Sequence, residues 1–183
     1  MIPRSSHGFV DRMIGASRLD TNIFEEVEED RSATRQALSV VLLGSLSGGI
    51  ASLDENGLGG LLVISAIGVS GWALWAWILY LIGTRLLPTR ETHADWGQLA
   101  RSLGFAQSPS ILNVLGVLPV IGWMISLAVL IWTLMAMVIA VRQALDYNST
   151  GRAIGVVLLG FIPYAITVII IVSLLFPGPA SSG

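Results

Sequence analysis

The sequence predicts an all-α integral membrane protein, a five-helix bundle preceded by short amphipathic helices. Of its 183 residues, 54% are hydrophobic and only 12% are charged, and the mean hydropathy is +0.76. A soluble domain usually carries about 25% charged residues. Long apolar runs fill most of the chain after residue 36, and each is close to the length that crosses a bilayer.

The N-terminal segment, residues 1–35, is predicted to be cytoplasmic and to contain two short helices. Residues 8–19 form an amphipathic pattern that suits a helix lying in the membrane interface. Its apolar residues share one helical face: Phe9, Val10, Met13 and Ile14. The acidic stretch NIFEEVEED (22–30) indicates a second helix, whose carboxylates we expect to lie on a solvated face.

Five membrane spans are predicted, with a flexible tail after the last one. Four are strongly apolar, at 37–53, 58–84, 120–141 and 153–176, and the tail covers 177–183. The span at 102–118 is weaker because it contains several polar side chains. A re-entrant segment is the alternative there, since Pro109 breaks its helical hydrogen bonds and Pro119 ends it.

The arginines favour five crossings over four. All ten basic residues are arginine, and cytoplasmic loops collect basic residues. With five spans and the N-terminus inside, all ten lie in the cytoplasm. Without a crossing at 102–118, Arg142 and Arg152 would lie outside. The sequence therefore predicts a cytoplasmic N-terminus and an outer C-terminus, in the inner membrane of a bacterium.

Small and polar residues are predicted to mediate close helix packing or to line a polar path. Polar groups within a span must face protein or water rather than lipid. Along 102–118, such residues recur at every third position. The positions singled out in the first and third spans are Gly44, Gly48, Gly104, Gln107, Pro109, Ser110, Asn113 and Pro119.

Charged residues gather at the predicted cytoplasmic ends of spans three to five. We expect Arg101 or Arg142 to pair with Asp95 or Asp146 and thereby clamp these helix ends together, because unpaired charges at the membrane boundary are costly. Binding of a partner or of lipid headgroups is the alternative role.

No catalytic, cofactor or metal site is predicted. The chain has no cysteine, which excludes disulfides and thiolate chemistry. The sequence GVSG (68–71) matches a serine protease motif, but both histidines lie outside the spans and no base is available. Trp72, Trp75 and Trp77 suit anchoring at the interface, and a groove for a quinone or lipid tail is the alternative.

Four stretches give the chain a family resemblance. They are RMIGASRLDTNIFEEVEED (12–30), SATRQALSVVLL (32–43), ADWGQLARSLGFAQSPSILNVLGVLPVIGW (94–123) and MVIAVRQALDYNSTGRAIGV (137–156). In these stretches the chain resembles the prokaryotic branch of the Yip-domain family, relatives of the eukaryotic Ypt/Rab-interacting membrane proteins. Positions that match the family pattern include Asp95, Trp96, Arg142, Tyr147 and Arg152.

The resemblance implies a five-helix membrane domain at 36–176 and no catalytic role for the matched positions. We expect an interaction, scaffold or membrane-organising module that contacts the lipid bilayer and either another membrane protein or further copies of itself. The alternatives are a small transporter or channel with a polar path along the third span, and an accessory subunit of a larger membrane complex. Nucleic acid is not an expected partner. A Rab-type GTPase is not expected either, because the chain lacks the long N-terminal region of the eukaryotic members.

Overall fold

The computed structural model describes residues 7–50, 53–92 and 94–175, and this part of the chain is all-helical. The tail predicted at 177–183 lies outside it. The α-helices are α1 (Phe9–Ser17), α2 (Thr21–Glu29), α3 (Ala33–Ile50), α4 (Leu53–Leu81), α5 (Trp96–Phe105), α6 (Gly122–Ala144) and α7 (Thr150–Leu175). A π-helical turn, Ile82–Leu86, extends α4, and a 3₁₀ helix, Ser108–Val117, follows α5.

Three helical segments are long and apolar enough to cross a membrane: Leu61–Leu86, Gly122–Ala144 and Thr150–Ile171. Their outward faces are apolar, with Trp123, Leu158 and Ile169 each largely exposed. An exposed apolar surface of this kind is stable only against lipid or protein. The chain is therefore integral to a membrane, as its composition predicts.

The segment predicted as the third span is not one α-helix. The predicted bounds of 102–118 are wrong for a single helix, since α5 ends at Phe105 and the 3₁₀ helix begins at Ser108. Pro109 lies in the first turn of the 3₁₀ helix, where its missing N–H costs least. The period of three in the polar residues is the period of a 3₁₀ helix, in which residues i and i+3 lie in line.

Two other predicted boundaries, in the first and second spans, also differ from those in the structure. Residues 54–57, expected as a loop between the first two spans, belong to α4, and acidic residues suit the first turn of a helix. The first run begins at Ala33 instead of residue 37. With Arg35 and Gln36 in its opening turns, α3 is not among the three segments that meet the spanning criteria.

Several polar segments meet at one end of the bundle, which we call the charged layer: α1, α2, Arg101 and residues 87–92, 94–95 and 142–152. Gln143 Nε2 donates to Glu25 Oε1 at 3.0 Å. Thr92 Oγ1 donates to the Leu145 carbonyl at 3.2 Å. The first contact places α2 beside the end of α6, and the second places the loop before α5 beside the turn after α6, where the sequence predicts the charges to gather.

Candidate functional site

Arg12 holds the N-terminal helices of the charged layer together. Although it is a charged residue on a short helix, it is only 2% exposed. Its Nη2 lies 2.8 Å from Asp30 Oδ2 and 2.8 Å from Glu26 Oε1, and its Nη1 donates to Gln36 Oε1 at 2.9 Å. Burial lowers the pKa of Arg12, but the bonds to Asp30 and Glu26 outweigh it and raise the pKa overall. One guanidinium thus joins α1 to α2 and to the start of α3.

Arg101 fastens α2 to α5. It is 6% exposed, and its Nε donates to the carbonyls of Val27 and Glu28, each at 3.1 Å. Its Nη2 makes a further short bond to the Glu28 carbonyl. These carbonyls belong to the last turn of α2, where carbonyls lack partners within the helix and a cation is favoured.

The predicted clamp between arginines and aspartates does not form. Among the described residues, no ion pair joins Arg101 or Arg142 to Asp95 or Asp146. Asp95 instead caps α5 in a capping box with Gln98, and Asp146 is exposed in a left-handed turn with φ of 52°. The prediction is wrong because other oxygen atoms take the hydrogen bonds of the arginines. Arg101 donates to carbonyls at the end of α2, which lack partners within the helix, and Arg142 donates to the Tyr147 carbonyl.

The turn between α6 and α7 is nevertheless fixed by residues that the sequence singles out. Arg142 Nε donates to the Tyr147 carbonyl at 3.3 Å. The buried Tyr147 hydroxyl donates to the Leu87 carbonyl at 2.7 Å and contacts the Gly83 carbonyl at 3.1 Å. The Arg152 guanidinium lies 5.8 Å from the centre of the Tyr147 ring, within reach of a cation–π interaction. Trp96, by contrast, is exposed.

The acidic helix α2 is not a uniformly solvated face, which corrects the sequence interpretation. Glu26 and Asp30 bind Arg12. Burial alone would raise the pKa of Glu26, but hydrogen bonds from His7 and Arg12 outweigh it and lower that pKa. Hydrogen bonds from Ser32 and Arg12 lower the pKa of Asp30. Glu28 is half-buried. Burial and the nearby carboxylates Asp146 and Glu29 raise the pKa of Glu28 to about 7.

A cavity of about 400 Å³ lies between the helices below the charged layer. Its walls come from α3, α4, the 3₁₀ helix, α6 and α7. Three of the predicted polar-path residues, Gln107, Ser110 and Asn113, line it together with aromatic residues of α4 and α7. The described residues that line it are all uncharged at neutral pH. The residues predicted to line a polar path therefore lie in the wall of a cavity within the bundle.

Close helix packing shapes this cavity. A Cβ added to Gly44 would collide with Ser110 Oγ, and one added to Gly104 would lie 2.7 Å from Ala37 Cβ. Both glycines let the segment 96–117 approach α3. Gly48 differs, since a Cβ there meets no described atom within 4 Å. Of the two glycines predicted to pack in α3, Gly44 therefore makes the internal contact. Pro109 is buried, whereas Pro119 is exposed.

A family model described as the Yip1 domain matches residues 21–173, the whole bundle from α2 to α7. The chain belongs to the Yip1-domain family. No curated protein and no solved structure matches it. The matched range starts at the first residue of α2, so the family domain includes the acidic helix as well as the membrane segments.

Several residues of this Yip1-domain site are not predicted by the sequence pattern. Arg12 lies off the apolar face of α1, yet it is buried. The pattern assigns Trp72 and Trp75 to the interface, yet both are buried, whereas Trp77 is 51% exposed. Thr133 and Tyr164 also line the cavity. The sequence could have identified Thr133 and Tyr164, because an isolated polar side chain in a long apolar run usually faces protein rather than lipid.

Proposed function

We propose that this Yip1-domain protein is a non-enzymatic membrane module that presents its charged layer to protein partners. The observation that carries the proposal is Arg101, a buried guanidinium that donates its hydrogen bonds to the last turn of α2. The N-terminal helices are thereby built into the bundle as a fixed platform. A rigid surface with a defined arrangement of charges suits recognition of a partner more than a free tail does.

The platform contains a groove of mixed charge. Residues on α2, the loop before α5 and the turn after α6 line it, including Glu25, Glu91, Arg90 and Asp146. Carboxylates outnumber arginines there, which favours a partner segment with basic residues. Among the described residues, no group of three or more histidines and acids is arranged to hold a metal ion.

We also propose that the chain crosses the membrane five times. The support is geometric: α5 begins in the charged layer. The 23-residue helix α6 ends in that layer and therefore begins at the opposite side of the bundle. Residues 96–117 must therefore run across the bundle. Ten α-helical and ten 3₁₀ residues would rise roughly 35 Å, enough for the hydrocarbon core of about 30 Å. The arginine distribution supports a charged layer in the cytoplasm of a bacterium.

The natural absence of cysteine allows a direct test of this topology. Single variants Asn148→Cys and Val120→Cys are treated in intact cells with a maleimide that does not cross the membrane. Val120 is 85% exposed, so the cysteine at this position is expected to react. The cysteine at 148 is expected to react only after the cells are opened. Labelling of both from outside, or of neither, would contradict five crossings.

A second experiment tests the partner-binding role. A photo-crosslinking amino acid is placed at Asn148 in the groove or, as a control, at Leu127 on the outer face of α6. We expect a discrete adduct of fixed stoichiometry from position 148 alone, weakened by Glu91→Gln with Asp146→Asn. Identical adducts from both positions, or adducts insensitive to the two charges, would contradict the proposal.

Transport is a second candidate because the cavity reaches Gln107, Ser110 and Asn113. A transporter requires a space of this kind. Its test is the permeation of glycerol into vesicles that contain the purified protein. Faster permeation than in empty vesicles, abolished by filling the cavity with Ser126→Trp, would support transport. Equal permeation in protein-containing and empty vesicles would contradict it.

A further inference from the structure

We infer that the cavity binds an uncharged, lipid-soluble molecule whose head carries carbonyl groups. Binding at this site is independent of the partner-binding role of the charged layer. Two polar atoms of the cavity residues, Trp75 Nε1 and Thr133 Oγ1, are buried and have no hydrogen-bond partner in the described part of the protein. Both residues line the cavity, Trp75 from α4 and Thr133 from α6.

Unpartnered buried donors are costly. Leaving a buried polar atom unsatisfied costs about 1–3 kcal/mol, and the large majority of such atoms in proteins have partners. Trp72 and Ser47 of the same bundle follow that rule, since Trp72 Nε1 donates to the Ala100 carbonyl at 3.1 Å and Ser47 Oγ to the Leu43 carbonyl at 2.8 Å. Ser102 Oγ on α5 is a third buried atom without a partner among the described residues, and it lies outside the cavity lining. Two donors left over in one cavity therefore point to a molecule that supplies acceptors.

The lining determines the chemistry of that molecule. An indole N–H can only donate, so the ligand must offer an acceptor to Trp75. Hydroxyl and carboxamide groups surround the same space, on Ser126, Tyr164, Gln107 and Asn113. None of the described lining residues is charged, and a ligand charge at this depth would be expensive without an opposite charge to balance it. A neutral carbonyl oxygen meets all of these conditions.

The remaining walls are apolar and aromatic. The Trp75 ring packs against Phe161 at 4.9 Å and against Tyr164 at 5.2 Å between ring centres. This cluster forms a face against which a ring or an ester group can stack. A volume of about 400 Å³ lies within the range of ligand sites and far exceeds the roughly 30 Å³ that one water occupies. The head of the ligand fits, and its tail must extend between the helices.

Two sources in a membrane share this chemistry, the quinones and the neutral glycerolipids. We would titrate the purified full-length protein with a short-tailed ubiquinone and, separately, with dioctanoylglycerol, and follow binding by calorimetry. The variants Trp75→Phe and Thr133→Val each remove one donor and change the shape little. Trp77→Phe and Thr167→Val are matched controls, because Trp77 and Thr167 are not among the lining residues of the described chain.

We expect saturable binding of one molecule of at least one probe per chain. Each cavity variant should lower the affinity for the probe about fivefold, which corresponds to the loss of one hydrogen bond. The control variants should leave the affinity unchanged. The probe that binds identifies the source as quinone or glycerolipid. The melting temperature measured without probe shows that each variant is folded. Absence of saturable binding by both probes, or cavity variants that bind like the wild type, would overturn the inference.

Discussion

The charged layer and the cavity handle buried polar groups in opposite ways. In the charged layer, Arg12 and Arg101 are buried, but the Nε atom and at least one terminal nitrogen of each donate to oxygen atoms. In the cavity, the polar groups are neutral, and Trp75 and Thr133 have no partner within the described chain. The buried charges therefore hold helices together through hydrogen bonds, whereas the buried neutral groups of the cavity include two without a partner among the described residues. Substitutions in the two regions should have opposite effects on stability.

The largest effect is expected from Arg12→Met. It removes the guanidinium that joins α1, α2 and α3 and leaves Glu26 and Asp30 without their cation. Breaking a buried ion pair costs about 3–5 kcal/mol. We expect a large drop in melting temperature in detergent and loss of hydrogen-exchange protection in α1 and α2. Arg18→Met, at an exposed position of the same segment, is the control and should change neither.

A smaller effect is expected where α5 meets α3. In Gly104→Ala the new methyl would press on the Ala37 side chain and backbone, and forced overpacking costs about 1–3 kcal/mol. Gly48→Ala, where the Cβ meets no described atom within 4 Å, should instead gain up to about 1 kcal/mol from helix propensity. Melting temperatures that move in the same direction for both variants would contradict the assignment of Gly104, and not Gly48, to an internal contact.

Glu28 should make the charged layer sensitive to pH. Its pKa is about 7 in the fold, against an ordinary value of 4.5, so the folded protein binds more protons than the unfolded chain between these values. Stability from this group is fully present below pH 4.5 and is lost as the pH rises through 7. Glu28→Gln removes that loss and should raise stability at pH 8 by about 1 kcal/mol after allowance for solvent screening. Melting curves of the wild type and of Glu28→Gln at pH 5 and pH 8 measure this change in stability.

Glu25→Gln is the matched control for this pH dependence. It changes the charge of the same helix by the same amount at an exposed position. Glu25 contributes least among the neighbouring charges that raise the pKa of Glu28, so we expect this variant to keep most of the wild-type decline in stability between pH 5 and pH 8. A decline that survives Glu28→Gln, or that disappears in the control, would assign the pH response to another group.

Much of this fold follows from sequence, for identifiable reasons. The long apolar runs predict α4, α6 and α7, because about twenty consecutive apolar residues have few alternatives to a membrane helix. The third segment is harder to predict. Its period of three and Pro109 suit a 3₁₀ helix, but hydropathy does not distinguish helix types. The five-crossing arrangement, the role of Trp96 and a partner-binding role for Asp146 remain predictions.

The candidate site is less predictable because its contacts join residues distant in sequence. Arg101 bonds to carbonyls more than 70 positions earlier, and all backbone carbonyls are chemically alike. Arg12 offers a local signal: the acidic residues at 26 and 30 lie one helical turn apart and present two carboxylates on one face. For the cavity, the polar residues of 107–113 are visible in the sequence, but the placement of Trp75 and Thr133 in the wall of one cavity emerges only when the helices are packed.

One measurement tests the contrast between the two regions most directly, the melting temperatures of Arg101→Met and Thr133→Val in the same detergent. We expect Arg101→Met to melt many degrees lower than the wild type, because the last turn of α2 loses its donor. Thr133→Val should melt at or above the wild-type temperature, because an unsatisfied hydroxyl is replaced by a methyl of similar shape. If Thr133→Val is destabilised as much as Arg101→Met, the cavity is part of the structural core and the contrast is wrong.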